Sequence, residues 1–432
     1  MKVLNFSLSD WGGAGTAAFR LHRALLAEGV ESSMLVQHRS RSTDEGVFSS
    51  PGFNHFAYEF LSRISDRVIK GRARPSARAR YFYSDFNHSL LTARAVERMG
   101  LKPDVIVAHS AAGFVSAAAL ARMSQAWNVP LVWHLMDMGW LTGGCHFAFD
   151  CDAYLRQCGR CPALQSARDR DWSRHFWDVR RWAVEQSCGV VVAPNKWLAS
   201  QCAQSSLFAD RPIHSIELSI DLDTYRPQDR RAARRALGLQ EDGQYIFFGA
   251  HYADEERKGI RYLVEALNIV HQRLRAGGPG KMPVIITAGN SLAASTLELP
   301  FPHHHLGMLD ADTRLPLAYQ AVDLFVSPAV EDSGPMMVLE SLACGTPVAA
   351  FDMGVARDVL FDGKTGYVAR IKDAADLATG IERILSGNVS DWLRMGEACR
   401  ELAVARFAPR TQARAFSQLF DFLLRERKSS DP

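Results

Sequence analysis

Two carboxylates, Asp332 and Glu340, bracket the stretch Glu331-Asp-Ser-Gly-Pro-Met-Met-Val-Leu-Glu340-Ser-Leu-Ala-Cys-Gly345-Thr-Pro347. Ser333 can cap a helix, Pro335 suits a first turn where a missing N–H costs nothing, and Gly345 stands where a left-handed stop belongs. The spacing predicts a helix over 334–344 in which only Glu340 and Ser341 are polar. A helix apolar nearly all round is buried, and a buried carboxylate without a partner is costly. Glu340 is therefore expected to meet a ligand hydroxyl or a cation, a buried arginine being the plain alternative. Asp332 precedes the helix N-terminus, where free N–H groups and the macrodipole favour an anion such as phosphate. The layout suits a nucleotide diphosphate with a sugar at each end. Ser333, Gly334, Met336 and Met337 would line the phosphates, Glu340 would accept from ribose hydroxyls, and Asp332 or Glu331 would face the second sugar.

Other residues extend this reading. Arg257-Lys258-Gly259 follows the first strand of the second half, at the sheet end where such folds bind ligands, and its two cations could neutralise a diphosphate. A solvated helix start is the competing interpretation. Gly13-x-Gly15-x-x-Ala18 opens a helix after the first strand in the form of a dinucleotide fingerprint. The acid that usually ends the next strand is missing, since that strand closes on Gln37-His38-Arg39, so Gly13 and Gly15 imply close backbone approach to some ligand, or a tight turn, more than NAD. His109 and His134 end two strands and Asp137 follows, positions expected to face an interdomain cleft. His303-His304-His305 reads either as metal-binding or as a strand entry beside Pro302.

The 432 residues exceed one ordinary core, so two domains are expected. A net charge of +3 is too small to imply a nucleic-acid partner. No run is long and apolar enough for a membrane span, and Met1-Lys-Val-Leu-Asn-Phe6 opens as a strand, so a cytoplasmic protein is expected. Four of the eight cysteines cluster as Cys145, Cys151, Cys158 and Cys161, which reads equally as a structural zinc site or as a loop of reduced thiols. Residues 61–80 carry seven Lys or Arg against one Asp, interleaved with Leu61, Ile64, Val68 and Ile69. That pattern fits an anionic membrane surface, or a solvated helix followed by a loop.

Short β-rich runs alternate with helical patterns throughout, the signature of parallel sheets with helices on both faces. Strands are expected at Val3 to Leu8, Ser33 to Gln37, Asp104 to Ala108, Leu131 to Leu135 and Gly189 to Ala193. Four more are expected at Tyr245 to Gly249, Val284 to Ala288, Leu324 to Ser327 and Val348 to Phe351. The fold class is α/β with two doubly wound, Rossmann-like domains. The first is placed at 1–212 with a cysteine-rich loop at 140–165, and the second at 213–408. A final helix over 409–432, with Ala413, Phe416, Leu419, Phe420 and Leu423 on one face, is expected to cross back over the first domain.

Taken together, Gly12-Gly-Ala-Gly15, Trp140 through Pro162, Pro194-Asn-Lys-Trp-Leu198, Arg257-Lys-Gly259 and Asp332 to Pro347 resemble family 4 glycosyltransferases of the GT-B fold, over nearly the whole chain. The resemblance is to the branch that builds bacterial capsule, exopolysaccharide or lipopolysaccharide. It implies a retaining, metal-independent transfer of a sugar from a UDP-, GDP- or ADP-sugar to a saccharide or polyprenyl-linked acceptor, without a catalytic cofactor, at the inner face of the cell membrane. Arg257 and Lys258 would bind the donor diphosphate, Glu340 the ribose, and Asp332 or Glu331 the donor sugar, while His109 and Asp137 would serve the acceptor side. The chain departs from the family where Leu135-Met136-Asp137 stands for Leu-His-Asp. A nucleotide-sugar epimerase of the same fold and an NAD-linked oxidoreductase are the competing enzyme classes.

Overall fold

The β-branched runs form two parallel sheets in a computed structural model that describes residues 1–41, 44–50, 55–70, 77–250, 252, 255–277, 281–290, 298–334 and 336–430. Pro335 and residues 71–76 of the basic segment lie outside the described residues. The first sheet contains β1 (Lys2–Ser9), β2 (Glu31–His38), β3 (Val47–Ser49), β4 (Val105–Ala108), β5 (Leu131–His134), β6 (Gly189–Ala193) and β7 (Ile213–Ser215). Their order is β3-β2-β1-β4-β5-β6-β7, and every pairing is parallel. The second contains β8 (Tyr245–Gly249), β9 (Val284–Ala288), β10 (His303–His305), β11 (Leu324–Ser327), β12 (Val348–Phe351) and β13 (Gly366–Ala369), in the order β10-β9-β8-β11-β12-β13.

Alternation along the strands divides the first core into two faces. Leu4, Phe6, Ile106, Ala108, Leu131 and Trp133 pack with Leu120 and Phe114 on one side. Val3, Val105, Val107, Val132 and Val192 meet Leu21 and Leu25 on the other, together with Phe416 and Phe420 of the last helix, Pro409–Ser430. Burying each large apolar side chain contributes about 1.5–3 kcal/mol, so parallel strands covered on both faces need no polar alternation. Arg410 and Arg414 of that helix also pair with Glu28. In the second sheet Ile246, Phe248, Ile285, Val326 and Phe351 pack against Leu263, Leu267, Leu377 and Ile381.

The chain divides into one unit of Met1–Ser219 plus Pro409–Pro432 and another of Ile220–Ala408. The boundary therefore falls later than 212. The reason is β7, which pairs parallel with β6 through Val191 and Ile213 and so completes the first sheet. Strand order reverses between β1 and β4 in one sheet and between β8 and β11 in the other, and ligands of doubly wound folds bind at such switch points.

Candidate functional site

At the second switch point the chain leaves β8 and β11 in two loops that are stitched together. The carbonyl of Arg257 accepts from the N–H groups of Val330 at 2.8 Å and Glu331 at 3.3 Å. Between the loops lies Gly259, with φ +69°, where a Cβ would come within 1.9 Å of the Pro328 carbonyl oxygen. Only glycine permits that approach. The short turn Glu256–Lys258 thereby directs two cations at the start of the Asp332 segment.

The cations are already engaged. Lys258 Nζ donates to Asp332 Oδ2 at 2.6 Å and Arg257 Nη1 to the same oxygen at 3.3 Å, while Arg257 Nη2 pairs with Glu255 at 2.6 Å. Burial alone would raise the Asp332 carboxyl, but Lys258 and Arg257, with hydrogen bonds from Lys258 and the Gly334 N–H, hold it below the ordinary carboxylate value. Glu331 and Ser333 are buried beside it. The helix spans Met336–Ala343, shorter than 334–344, so Met336 and Met337 form its first turn. Glu340 is buried on it, and its Oε2 accepts from the Tyr319 hydroxyl at 3.2 Å. A phenol is one of the partners of this carboxylate. Tyr319 and Glu255 are partners that the sequence reading missed.

The first unit distributes its polar residues differently. Gly13 is exposed with open space around it, whereas a Cβ on Gly15 would meet the Ser9 carbonyl oxygen at 2.6 Å. Gly15 thus seats its helix on the end of β1. Asp10 is fully buried and accepts from the N–H groups of Ser40 and Arg41, tying down the loop after β2.

His109 and His134 do not face open space. Both are fully buried, linked Nδ1 to Nδ1 at 3.0 Å, and His109 Nε2 lies 3.1 Å from Asn5 Oδ1. Asn5 Nδ2 donates to Ser32 Oγ and the Ser33 carbonyl, so Asn5 Oδ1 accepts from His109 Nε2–H and His109 Nδ1 accepts from His134 Nδ1–H. Burial pushes the His134 imidazole down to about 3; burial and then His134 hold His109 well below its usual value. The indole N–H of Trp140 caps the His109 carbonyl, and Phe416 packs on His134. Strand ends covered in this way join the core, which corrects the placement of His109 on a ligand-facing surface. Asp137 retains some exposure and pairs with His146 Nδ1 at 2.6 Å. An imidazole beside Asp137 is thus present, supplied from position 146 and not 136.

Cys145, Cys151, Cys158 and Cys161 surround one small cavity. Cys145 and Cys161 hydrogen-bond to each other, and Cys158 Sγ accepts from the Gly143 N–H at 3.2 Å. Burial pushes the Cys158 thiol up to about 12, the neutral form. Among the described residues no group of three or more His, Cys, Asp or Glu is placed to hold a metal ion, and the four cysteines are free thiols. His303 and His305 instead share the Thr287 hydroxyl at 2.7 and 2.9 Å, as edge-strand residues.

The family models of "Glycosyltransferase Family 4" and "Glycosyl transferases group 1" match residues 11–224 and 243–387. The chain belongs to the family 4 glycosyltransferases. Among curated relatives, D-inositol 3-phosphate glycosyltransferase 2 of Catenulispora acidiphila is 29% identical over 40% of this chain and 42% of its own length. The family 4 chain thus spans about two-fifths of the length of the curated relatives it matches. Among solved structures, Anabaena HepE in complex with UDP and glucose superposes with a TM-score of 0.62 at 17% identity, covering 98% of this chain and 99% of that one. WaaG, a glycosyltransferase involved in lipopolysaccharide biosynthesis, gives a TM-score of 0.59 at 13% identity over 96% and 99%. These likenesses place the family 4 chain in the GT-B fold class.

Proposed function

We propose that this family 4 chain is a retaining glycosyltransferase that moves a sugar from a nucleotide-diphosphate donor to a saccharide or lipid-linked acceptor during assembly of a bacterial surface polysaccharide. The observation that carries the reading is the Lys258–Asp332–Arg257 cluster at the β8/β11 switch point, with the buried Glu340 on the adjoining helix. A diphosphate brings negative charge to two cations that a carboxylate now occupies. Binding then exchanges partners: the phosphates take Lys258, Arg257 and the N–H groups of Met336 and Met337, and the released Asp332 turns to the sugar. As the glycosidic bond breaks, charge collects on the diphosphate while the anomeric carbon becomes cationic. Fixed cations stabilise the first and Asp332 or Glu331 the second, at no reorganisation cost during the step. Glu340 binds ribose alike before and during the reaction.

The UDP seen with HepE and the lipopolysaccharide role of WaaG support the donor and pathway classes. Peripheral membrane contact rests on the helix His55–Lys70, where Phe60, Leu61, Ile64 and Val68 are exposed beside Arg63 and Arg67. Among the described residues no helix is long and apolar enough to cross a membrane. The functional test is calorimetric titration with UDP-, GDP- and ADP-sugars, followed by turnover of Asp332→Asn and Glu331→Gln. Saturable binding of one donor with a turnover loss in Asp332→Asn is expected. A defect in Glu331→Gln alone would move the sugar-facing role by one residue, and no binding of any donor would end the proposal.

A further inference from the structure

Glu340 is met from the core by a side chain that is itself firmly held. Tyr319 stands on the helix Arg314–Ala321 and is fully buried, whereas Glu340 keeps 6% of its surface exposed. The Tyr319 ring is clamped by the two strands that flank the switch point: Phe247 of β8 and Phe325 of β11 meet it edge-on at centroid distances of 5.4 and 5.5 Å, and Tyr225 packs at 6.2 Å. Its backbone is tied to the end of the helix that carries Glu340. Thr346 Oγ1 donates to the Tyr319 carbonyl at 2.8 Å, and the Thr346 carbonyl accepts from Ser341 Oγ at 2.9 Å.

What that packing fixes is the carboxylate. The Tyr319 hydroxyl donates to Glu340 Oε2 at 3.2 Å. Burial and then the nearby Glu340 charge hold the phenol well above its usual value, so the hydroxyl keeps its proton and remains a donor. A carboxylate offers about four acceptor positions, and the phenol takes one of them from the core side. Ordering a long side chain at the moment of binding costs affinity, and a side chain already fixed spares that cost.

We propose that Tyr319 is a positioning residue for Glu340, and that the carboxylate it fixes selects a ribonucleoside diphosphate sugar over its 2′-deoxy counterpart. This rests on the glycosyltransferase reading, in which Glu340 accepts from the donor ribose. The vicinal diol of a ribose presents two O–H donors to one carboxylate, and a deoxyribose presents one. The missing donor leaves a buried acceptor unpaired, and a site built to bond a hydroxyl rejects the analogue that lacks it. Holding the carboxylate still sharpens that discrimination, since a mobile one would turn away and find a partner elsewhere. Tyr319, Glu340 and the residues that clamp them all belong to the second unit.

The test titrates wild type, Tyr319→Phe, Glu340→Gln and the double variant Tyr319→Phe/Glu340→Gln by calorimetry with UDP, GDP and ADP and with the 2′-deoxy form of each, while thermal melting follows folding. Wild type should bind its preferred ribonucleotide about 10- to 10²-fold more tightly than the matching deoxynucleotide. Tyr319→Phe keeps the ring and removes the hydroxyl. It should lose most of that ratio through weaker binding of the ribonucleotide, with the deoxynucleotide changed by less than about twofold. A hydroxyl that served packing alone would weaken both ligands alike or neither. The double variant should fall no further than Glu340→Gln, because the two residues act as a unit. An unchanged ratio in folded Tyr319→Phe, or a Tyr319→Phe chain that does not fold, overturns the positioning role. Equal or tighter binding of the deoxynucleotide by wild type overturns the selection. Each of these leaves nucleotide binding by wild type, and the reading beneath, in place. Wild-type protein that binds none of these nucleotides overturns that reading instead.

Discussion

In the second unit Asp332 meets Lys258 at 2.6 Å and Arg257 at 3.3 Å, all three ionised, while in the first His134, His109 and Asn5 form a chain of neutral groups at 3.0 and 3.1 Å. Asp332 and both imidazoles are buried, Lys258 and Arg257 only partly, and both regions lie at a switch point, yet they are suited to different work. An ion pair can trade one anion for another, which is what the proposed phosphate site at the Asp332 cluster requires. The imidazole chain ends in a buried Nε2 of His134 without a hydrogen-bond partner among the described residues, beside Phe416, and offers no such exchange. The partner of a buried polar group, rather than its burial, separates a ligand site from an internal brace.

Breaking the first region should give the largest effect. Lys258→Ala removes the shortest contact to Asp332 and one of the cations expected on the leaving group, and should cost about 10²- to 10³-fold in turnover. Steady-state kinetics with the bound donor checks it, and a near-normal rate would dissolve the contrast drawn here. Acid should affect the second region next. The His134 imidazole is held at about 3 when folded against 6.5 when not. Above 6.5 both states are neutral and stability is independent of this group. As pH falls from 6.5 toward 3 only the unfolded chain takes up the proton, and stability drops by about 1.4 kcal/mol per pH unit for each such histidine. Asp332, held below its ordinary value of 3.8, contributes nothing over the upper part of that window. Urea midpoints at about pH 7 and about pH 5 should therefore diverge less in His134→Leu than in wild type; equal divergence would show that the chain is not the acid-sensitive element.

A smaller change sharpens the comparison from within the donor region. If Glu340 holds the donor ribose as proposed, equally in ground and transition states, Glu340→Gln should raise the donor's Michaelis constant by about tenfold with kcat nearly unchanged. A loss confined to kcat would place Glu340 at the reacting sugar instead.

The same contrast explains what could be read before the structure. Val105 to Ala108 and Val348 to Phe351 announce themselves because both faces of a parallel strand are buried. The edge strands Val47–Ser49 and Gly366–Ala369 carry weaker signals, being only partly buried. Asp332 and Glu340 stand out in the sequence because one continuous stretch, running into a single helix, holds both. Tyr319, Glu255, Asn5 and His146 were not, because only folding brings Tyr319 to Glu340 or Asn5 to His109 across the chain. His109 ends a strand and Asp137 follows the next one in the sequence; Trp140 caps the His109 carbonyl and His134, packed on Phe416, covers its ring, so only the first is sent inward.

The exchange of Asp332 for diphosphate is tested most directly by calorimetric titration of wild type and Asp332→Asn with the nucleoside diphosphate that wild type binds best. Removing the competing carboxylate frees charge-assisted bonds of about 1.5–3 kcal/mol, so Asp332→Asn should bind the diphosphate about tenfold more tightly even as turnover falls. Equal or weaker binding by the variant would contradict the account, because Asp332 would then not be holding the place of the phosphates.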